Sequence, residues 1–188
     1  MKIRLWLFLS LIGIGVVTIF TVSSCAKAKQ LAAFDVNYTF PKVYFSYSPK
    51  LQKQLPEFTL FTVKLSVNMD SILSANHIPS GIIASAYLSK LAMVITNPPD
   101  ANFNWLQSVK MVGSVDSTFS QPLLLGSDTL IAAGSKTIDL AINKIDIKPI
   151  FFKNSYYLKI LATPSGQIPA ASVNMYLESA IRLHIEPL

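Results

Sequence analysis

The chain has 188 residues, with 16 Lys and Arg against 10 Asp and Glu, and a formal net charge of +6 at pH 7. That length suits one domain with an appendage, and the basic residues beyond the N-terminus are scattered singly, which speaks against a nucleic-acid patch. A single cysteine, Cys25, excludes an internal disulfide and any cysteine-rich metal or redox site.

The chain opens on a basic stretch, Met1-Lys2-Ile3-Arg4, followed by the uncharged, proline-free run Leu5 to Val22 and then Ser23, Ser24 and Cys25. A basic start, an apolar run and small residues before a boundary describe a secretory signal. Val22-Ser23-Ser24-Cys25 resembles the lipobox of bacterial lipoproteins: an aliphatic residue, two small ones and a cysteine. The resemblance covers only Met1 to Cys25. It implies that the Cys25 thiol receives a diacylglyceryl group, that cleavage falls before Cys25, and that an acyl chain completes the anchor. A thiolate is well suited to forming such a thioether. Two or three chains, at about 0.8 kcal/mol per buried methylene, hold a protein at a membrane where one does not. The alternatives are an uncleaved span, since the run approaches the ~20 residues a bilayer needs, and an ordinary secretory signal. On the lipoprotein reading, residues 1–24 are a signal peptide, 25–33 are the lipidated cysteine and a short tether, and 34–188 are one domain. The expected location is the bacterial cell envelope, lipid-anchored and facing the periplasm; Ala26 stands where an Asp would favour inner-membrane retention in enterobacterial lipoproteins. No cofactor is expected beyond the covalent lipid.

Strand patterns then follow in chain order. Phe34–Phe40 and Val43–Tyr47 come first. Phe61, Val63, Leu65, Val67 and Met69 alternate with polar neighbours and predict a strand. The stretch from Asp70 to Ser80 predicts a short helix or turn capped by Asp70. Tyr87–Thr96 is the next strand, closed by the turn cluster "TNPPDAN"; "NFNWLQS" suits a single turn with Trp105 buried. Val109–Val115 follows, then turn signals at "LGSDT" and "AAGSK", strands at Thr137–Ile142 and Tyr156–Thr163, and a turn at "TPSGQIP". The last segment is the clearest: Val173, Met175, Leu177, Ile181, Leu183 and Ile185 are apolar at period two. Such spacing predicts an all-β fold, an antiparallel β-sandwich of immunoglobulin-like general architecture with one or two short helical turns. A closed barrel around a ligand is the alternative.

No motif for catalysis stands out. The two histidines, His77 and His184, fall in no HxH, HxxxH or HExxH spacing, so no metal site is expected. No GxSxG or SxxK stretch occurs, and no glycine-rich phosphate loop. Asp139 and Asp146 flank "LAINKI" at opposite ends rather than pairing. An enzyme is therefore not expected. The aromatic stretch from Phe34 to Tyr47 suggests an outward-facing platform for a sugar or a protein partner, with Tyr44, Tyr47, Tyr156 and Tyr157 as candidate contacts. Asp70-Ser71-Ile72, Asp116-Ser117-Thr118 and Asp128-Thr129-Leu130 resemble the O-glycosylation acceptor motif of exported Bacteroides-type proteins, and are also ordinary caps and turns. The combined expectation is a non-enzymatic envelope lipoprotein whose sandwich is a membrane-tethered binding or structural module. Its partner would be an envelope protein or a glycan, and no nucleic acid. The alternatives are a glycan binder using the Tyr/Phe-rich surface and a carrier of an apolar ligand.

Overall fold

A computed structural model describes residues 33–49, 56–66, 69–75, 77–153, 155–167, 169 and 171–186. The signal segment, Cys25 and most of the tether lie outside the described residues. The strands are β1 (Phe34–Thr39), β2 (Val43–Tyr47), β3 (Phe58–Leu65), β4 (Ile83–Asn97), β5 (Leu106–Ser114), β6 (Leu123–Asp128), β7 (Thr137–Asp139), β8 (Ala141–Ile142), β9 (Tyr156–Pro164) and β10 (Val173–Ile185). Two short helices, α1 (Met69–Ala75) and α2 (Lys148–Phe151), and a 3₁₀ turn at Ser80–Ile82 join them. Every strand pair is antiparallel. One sheet runs β1-β10-β4-β7, with β2 also on β10; the other runs β3-β9-β5-β6-β8. The fold is the expected all-β sandwich.

The strand β10 anchors the first sheet. Its six alternating apolar residues, Val173 to Ile185, are all buried, because a period of two puts them on one face of the pleat. Its partner β4 loses the alternation: Ala84, Ser89 and Thr96 have no residue opposite them on β10. Each extra residue is a bulge that turns the following side chains over. Hence Ala86 and Leu88 are buried in one phase, and Leu91, Met93 and Ile95 in the other. On the opposite edge of β10, β1 and β2 form one interrupted strand. The Phe40 N–H still donates to the Ser179 carbonyl (3.0 Å), but Pro41, lacking an N–H, breaks the ladder.

Three expectations are corrected. The strand predicted from Phe61 to Met69 begins at Phe58 and ends at Leu65, and Met69 opens α1. Met69 and Leu73 are both buried, so the apolar residue that prolonged the alternation serves one helical face instead. The "LGSDT" stretch lies largely within β6, since Leu125 is core and Gly126 pairs with Ile142. A Cβ on Gly126 would stand 3.0 Å from the Ala141 carbonyl oxygen, so glycine here serves close approach rather than a turn. Finally, Thr137–Ile142 is split. β7 pairs with β4 in the first sheet and β8 with β6 in the second. Between them Leu140 is buried, and its N–H donates to the Leu91 carbonyl (2.9 Å), so the segment walls one side of the sandwich.

Aromatic rings join the layers. Phe45 of β2 stacks on Phe61 of β3 at 4.4 Å. Phe151 of α2 packs on Tyr156 (4.4 Å) and Phe40 (5.6 Å). In α2, Pro149 occupies the first turn, where its missing N–H costs no helical bond. Helix α1 ends in a left-handed cap. The N–H of His77 (φ 57°) donates to Ser74 (3.0 Å) and that of Ile78 to Leu73 (2.8 Å). Among the described residues no helix is long and apolar enough to cross a membrane.

Candidate binding site at one end of the sandwich

The last residue of β2, Tyr47, lies at the end of the sandwich where the β4–β5 and β9–β10 connections meet. Its ring lies parallel to that of Trp105 (4.7 Å, 5°) and beside Phe58 (5.7 Å). Trp105 is only 4% exposed. Its Nε1–H is buried and has no hydrogen-bond partner among the described residues. An unmet buried donor costs about 1–3 kcal/mol.

A cleft of about 390 Å³ opens over Trp105, between the two connections. Asp100, Asn102, Asn104 and Gln167 give it polar walls. Pro98, Ala101, Pro169 and Ala171 give it apolar ones. The volume falls within the ~300–1,000 Å³ usual for small-ligand sites. The walls are held by neighbouring connections. The Phe103 N–H donates to the Ser135 carbonyl (2.9 Å), and the Ser165 N–H to the Trp105 carbonyl (3.0 Å). Lys136 Nζ donates to the Pro99 carbonyl. The Asn97–Pro98 peptide is cis.

The two asparagines have fixed orientations. Asn102 Oδ1 accepts the Asn104 N–H (3.1 Å), and Asn104 Oδ1 accepts the Gly134 N–H (2.6 Å). Gly134 has φ 74°, a left-handed value that glycine adopts without steric cost. With both carbonyl oxygens engaged, each amide retains Nδ2 as a donor. Asp100 contributes an acceptor. The cleft thus combines separate donors, an acceptor and small apolar surfaces over a buried ring.

The four tyrosines singled out from sequence do not converge. Tyr44 is 69% exposed on the outer face of the first sheet and leans on Tyr176 (5.6 Å). Lys42 Nζ sits 4.0 Å from the Tyr176 ring centre. Glu178 lies between Lys90 (2.6 Å) and Lys42 (3.2 Å). Hydrogen bonds from Lys90, then Lys42, hold the Glu178 carboxyl below its ordinary range. Tyr47 packs between Trp105 and Phe58, and burial pushes its phenol up. The expectation of a surface contact at Tyr156 is corrected: it is 1% exposed, among the largest buried side chains, and burial raises its phenol strongly. The alternation of β9 explains this, because Tyr156 falls on the inner face and Tyr157 on the outer. Tyr157 lies half-buried beside Phe119 (6.4 Å) and Lys64. Tyr44 and Tyr157 therefore belong to opposite sheets.

The other candidates have local roles. His184 Nδ1 lies 2.8 Å from Asp35 Oδ1 on the neighbouring strand. Among the described residues no group of three or more His, Cys, Asp or Glu is placed to hold a metal. Asp116, in the β5–β6 connection, accepts hydrogen bonds from Ser114, Thr118 and Ser120, and Asp128, the last residue of β6, accepts the Leu130 N–H (2.8 Å). Asp70 lies in the first turn of α1. Cys25 lies outside the described residues. Sequence reasoning missed the cleft itself. Its residues fall in separate turn signals along the chain, and their shared trait, Asn, Asp, Gln and Pro near a tryptophan, becomes a site only when distant connections meet.

No protein-family model and no curated protein matches the chain. Among solved structures, one of Desmodium yellow mottle tymovirus is similar at 15% identity and a TM-score of 0.32, over 83% of this chain and 90% of that one. The infectious bursal disease virus VP2 subviral particle is similar at 9% identity and a TM-score of 0.33, over 82% of this chain; the match spans 33% of the viral chain. A nora virus structure is similar at 10% identity and a TM-score of 0.33, over 84% of this chain and 62% of that one. Sandwich architectures recur without sequence similarity, so these likenesses say nothing of what this chain binds.

Proposed function

We propose that this protein is a non-enzymatic cell-envelope lipoprotein, held at a membrane by lipid on Cys25 and facing the periplasm, whose sandwich binds a partner there. The observation that carries the reading is the lipobox-like Val22-Ser23-Ser24-Cys25, whose cysteine stands nine positions in sequence before the first strand of a β domain with a cleft between its connecting loops. Loops on a fixed scaffold are where binding residues concentrate. A short tether confines the domain to a thin layer and raises its effective concentration toward anything else in that layer. Catalysis plays no part in this role; the work is retention and recognition.

The test has two arms. Mass spectrometry of the mature N-terminus is expected to find Cys25 as the first residue, carrying diacylglyceryl and acyl chains; Cys25→Ala is expected to remain uncleaved and unlipidated. Gentle extraction of the protein from native membranes is expected to recover a protein or carbohydrate partner in near-stoichiometric amount. An unmodified Cys25 overturns the anchor. A hydrolytic activity abolished by one Ser, His or Asp substitution overturns the non-enzymatic role.

A further inference from the structure

We infer that the cleft over Trp105 is a binding site for a short neutral oligosaccharide. The inference names the ligand class of the proposed binding module, and rests on that reading. The chemistry of the walls selects the class. Asp100 offers a charged acceptor, while the Nδ2 groups of Asn102 and Asn104 offer donors whose direction is set by engaged carbonyl oxygens. A sugar hydroxyl donates and accepts at once, so adjacent hydroxyls satisfy an acceptor and neighbouring donors together. The C–H faces of a pyranose suit the small apolar surfaces of Pro98 and Pro169.

Other classes fit less well. An anionic ligand would meet the Asp100 carboxylate, and among the described residues no Lys or Arg lines the cleft to offset it; the nearby Lys136 is engaged by the Pro99 carbonyl. A wholly apolar ligand would cover Asp100 and the two Nδ2 groups and leave them without partners. Trp105 adds an argument of its own. Its Nε1–H is a buried donor without an acceptor among the described residues, in a residue that lines the cleft. By contrast, the Tyr44 strip is flat, with Tyr176 and the Lys42–Glu178–Lys90 ion pairs as its neighbours.

The chain contains two tryptophans, Trp6 and Trp105. Cleavage before Cys25 removes Trp6, and Trp6→Phe silences it in any uncleaved protein, so Trp105 is the sole indole reporter. The protein is kept in a detergent without sugar headgroups and titrated with maltotriose, cellotriose, chitotriose and laminaritriose. At least one is expected to give a saturable change in Trp105 emission, matched by calorimetry. Asp100→Ala with Asn102→Ala is expected to weaken that affinity about tenfold or more with an unchanged circular dichroism spectrum, and Tyr44→Ala to leave it intact. Absence of saturable binding to every trisaccharide overturns the inference. So does binding that Tyr44→Ala removes and the double variant retains. If no sugar binds but membrane extraction recovers a protein partner, the sugar site fails and the binding module stands; if neither is found, both fail.

Discussion

Asp116 holds together the connection between β5 and β6. Its two oxygens accept from the Ser114 hydroxyl (3.0 Å), the Thr118 N–H (2.9 Å), the Ser120 hydroxyl (2.9 Å) and N–H (3.3 Å), and the Thr118 hydroxyl. The Thr118 bond foremost, with those from Ser120 and Ser114, holds its carboxyl well below the usual carboxylate range. Because the folded value is depressed, the stabilisation is fully present above the ordinary value of 3.8 and fades as pH falls through the folded value. Asp116→Ala is expected to speed hydrogen exchange at the Thr118 and Ser120 amides and to lower the melting temperature at pH 7. Unchanged exchange would show that the hydroxyls hold the loop without the carboxylate. Glu178 follows the same sign. Its carboxyl is lowered by Lys90 and then Lys42, so its contribution is present above 4.5 and lost in acid. All three side chains reach solvent, so Glu178→Gln is expected to change stability little at pH 7. Its effect is a flatter loss of stability between pH 5 and pH 3 in denaturant melts, in which a carboxylate of depressed value is protonated.

At the level of the elements, β8 shows how little room the second sheet leaves. A Cβ at Gly126 meets the Ala141 carbonyl oxygen and Leu91 Cδ2, each at 3.0 Å. Backbone cannot yield as a side-chain end can. Gly126→Ala is expected to destabilise the protein by about 1–3 kcal/mol in urea unfolding. Gly113→Ala, whose nearest obstacle is Leu125 Cδ1 at 3.1 Å, is expected to cost less. Equal costs would mean that β8 moves aside freely. The element scale also separates what was legible from what was not. β10 could be read because it keeps one phase from Val173 to Ile185. The start of β4, before Tyr87, could not, because Ala84 is bulged and breaks the period that identifies a strand. β6 was hidden by a glycine chosen for packing rather than turning.

Across the whole molecule, rings bridge the two sheets. Phe45 meets Phe61, and Tyr47 bridges Phe58 and Trp105. Phe45→Ala is expected to cost about 3–5 kcal/mol, with a single cooperative transition reported alike by far-UV and near-UV dichroism. Separate transitions would mean that the sheets unfold independently. The same bridging places Trp105 beneath the cleft, so the core supports the proposed site.

Composition, one cysteine and the Val22–Cys25 spacing determined, without coordinates, the expectation of a lipid anchor. Period-two alternation determined the all-β class and most strands, because the inner and outer faces of a pleat are written in neighbouring residues. It also implied that Tyr44 and Phe45 face opposite ways, as they do. Tertiary structure alone decided that Thr137–Ile142 crosses between sheets, that Tyr47 and Tyr156 serve packing, and that Pro98, Asn104 and Gln167 share one cleft. These are long-range facts: residues that turn the chain carry local signals, but which turns meet depends on how the strands between them pair.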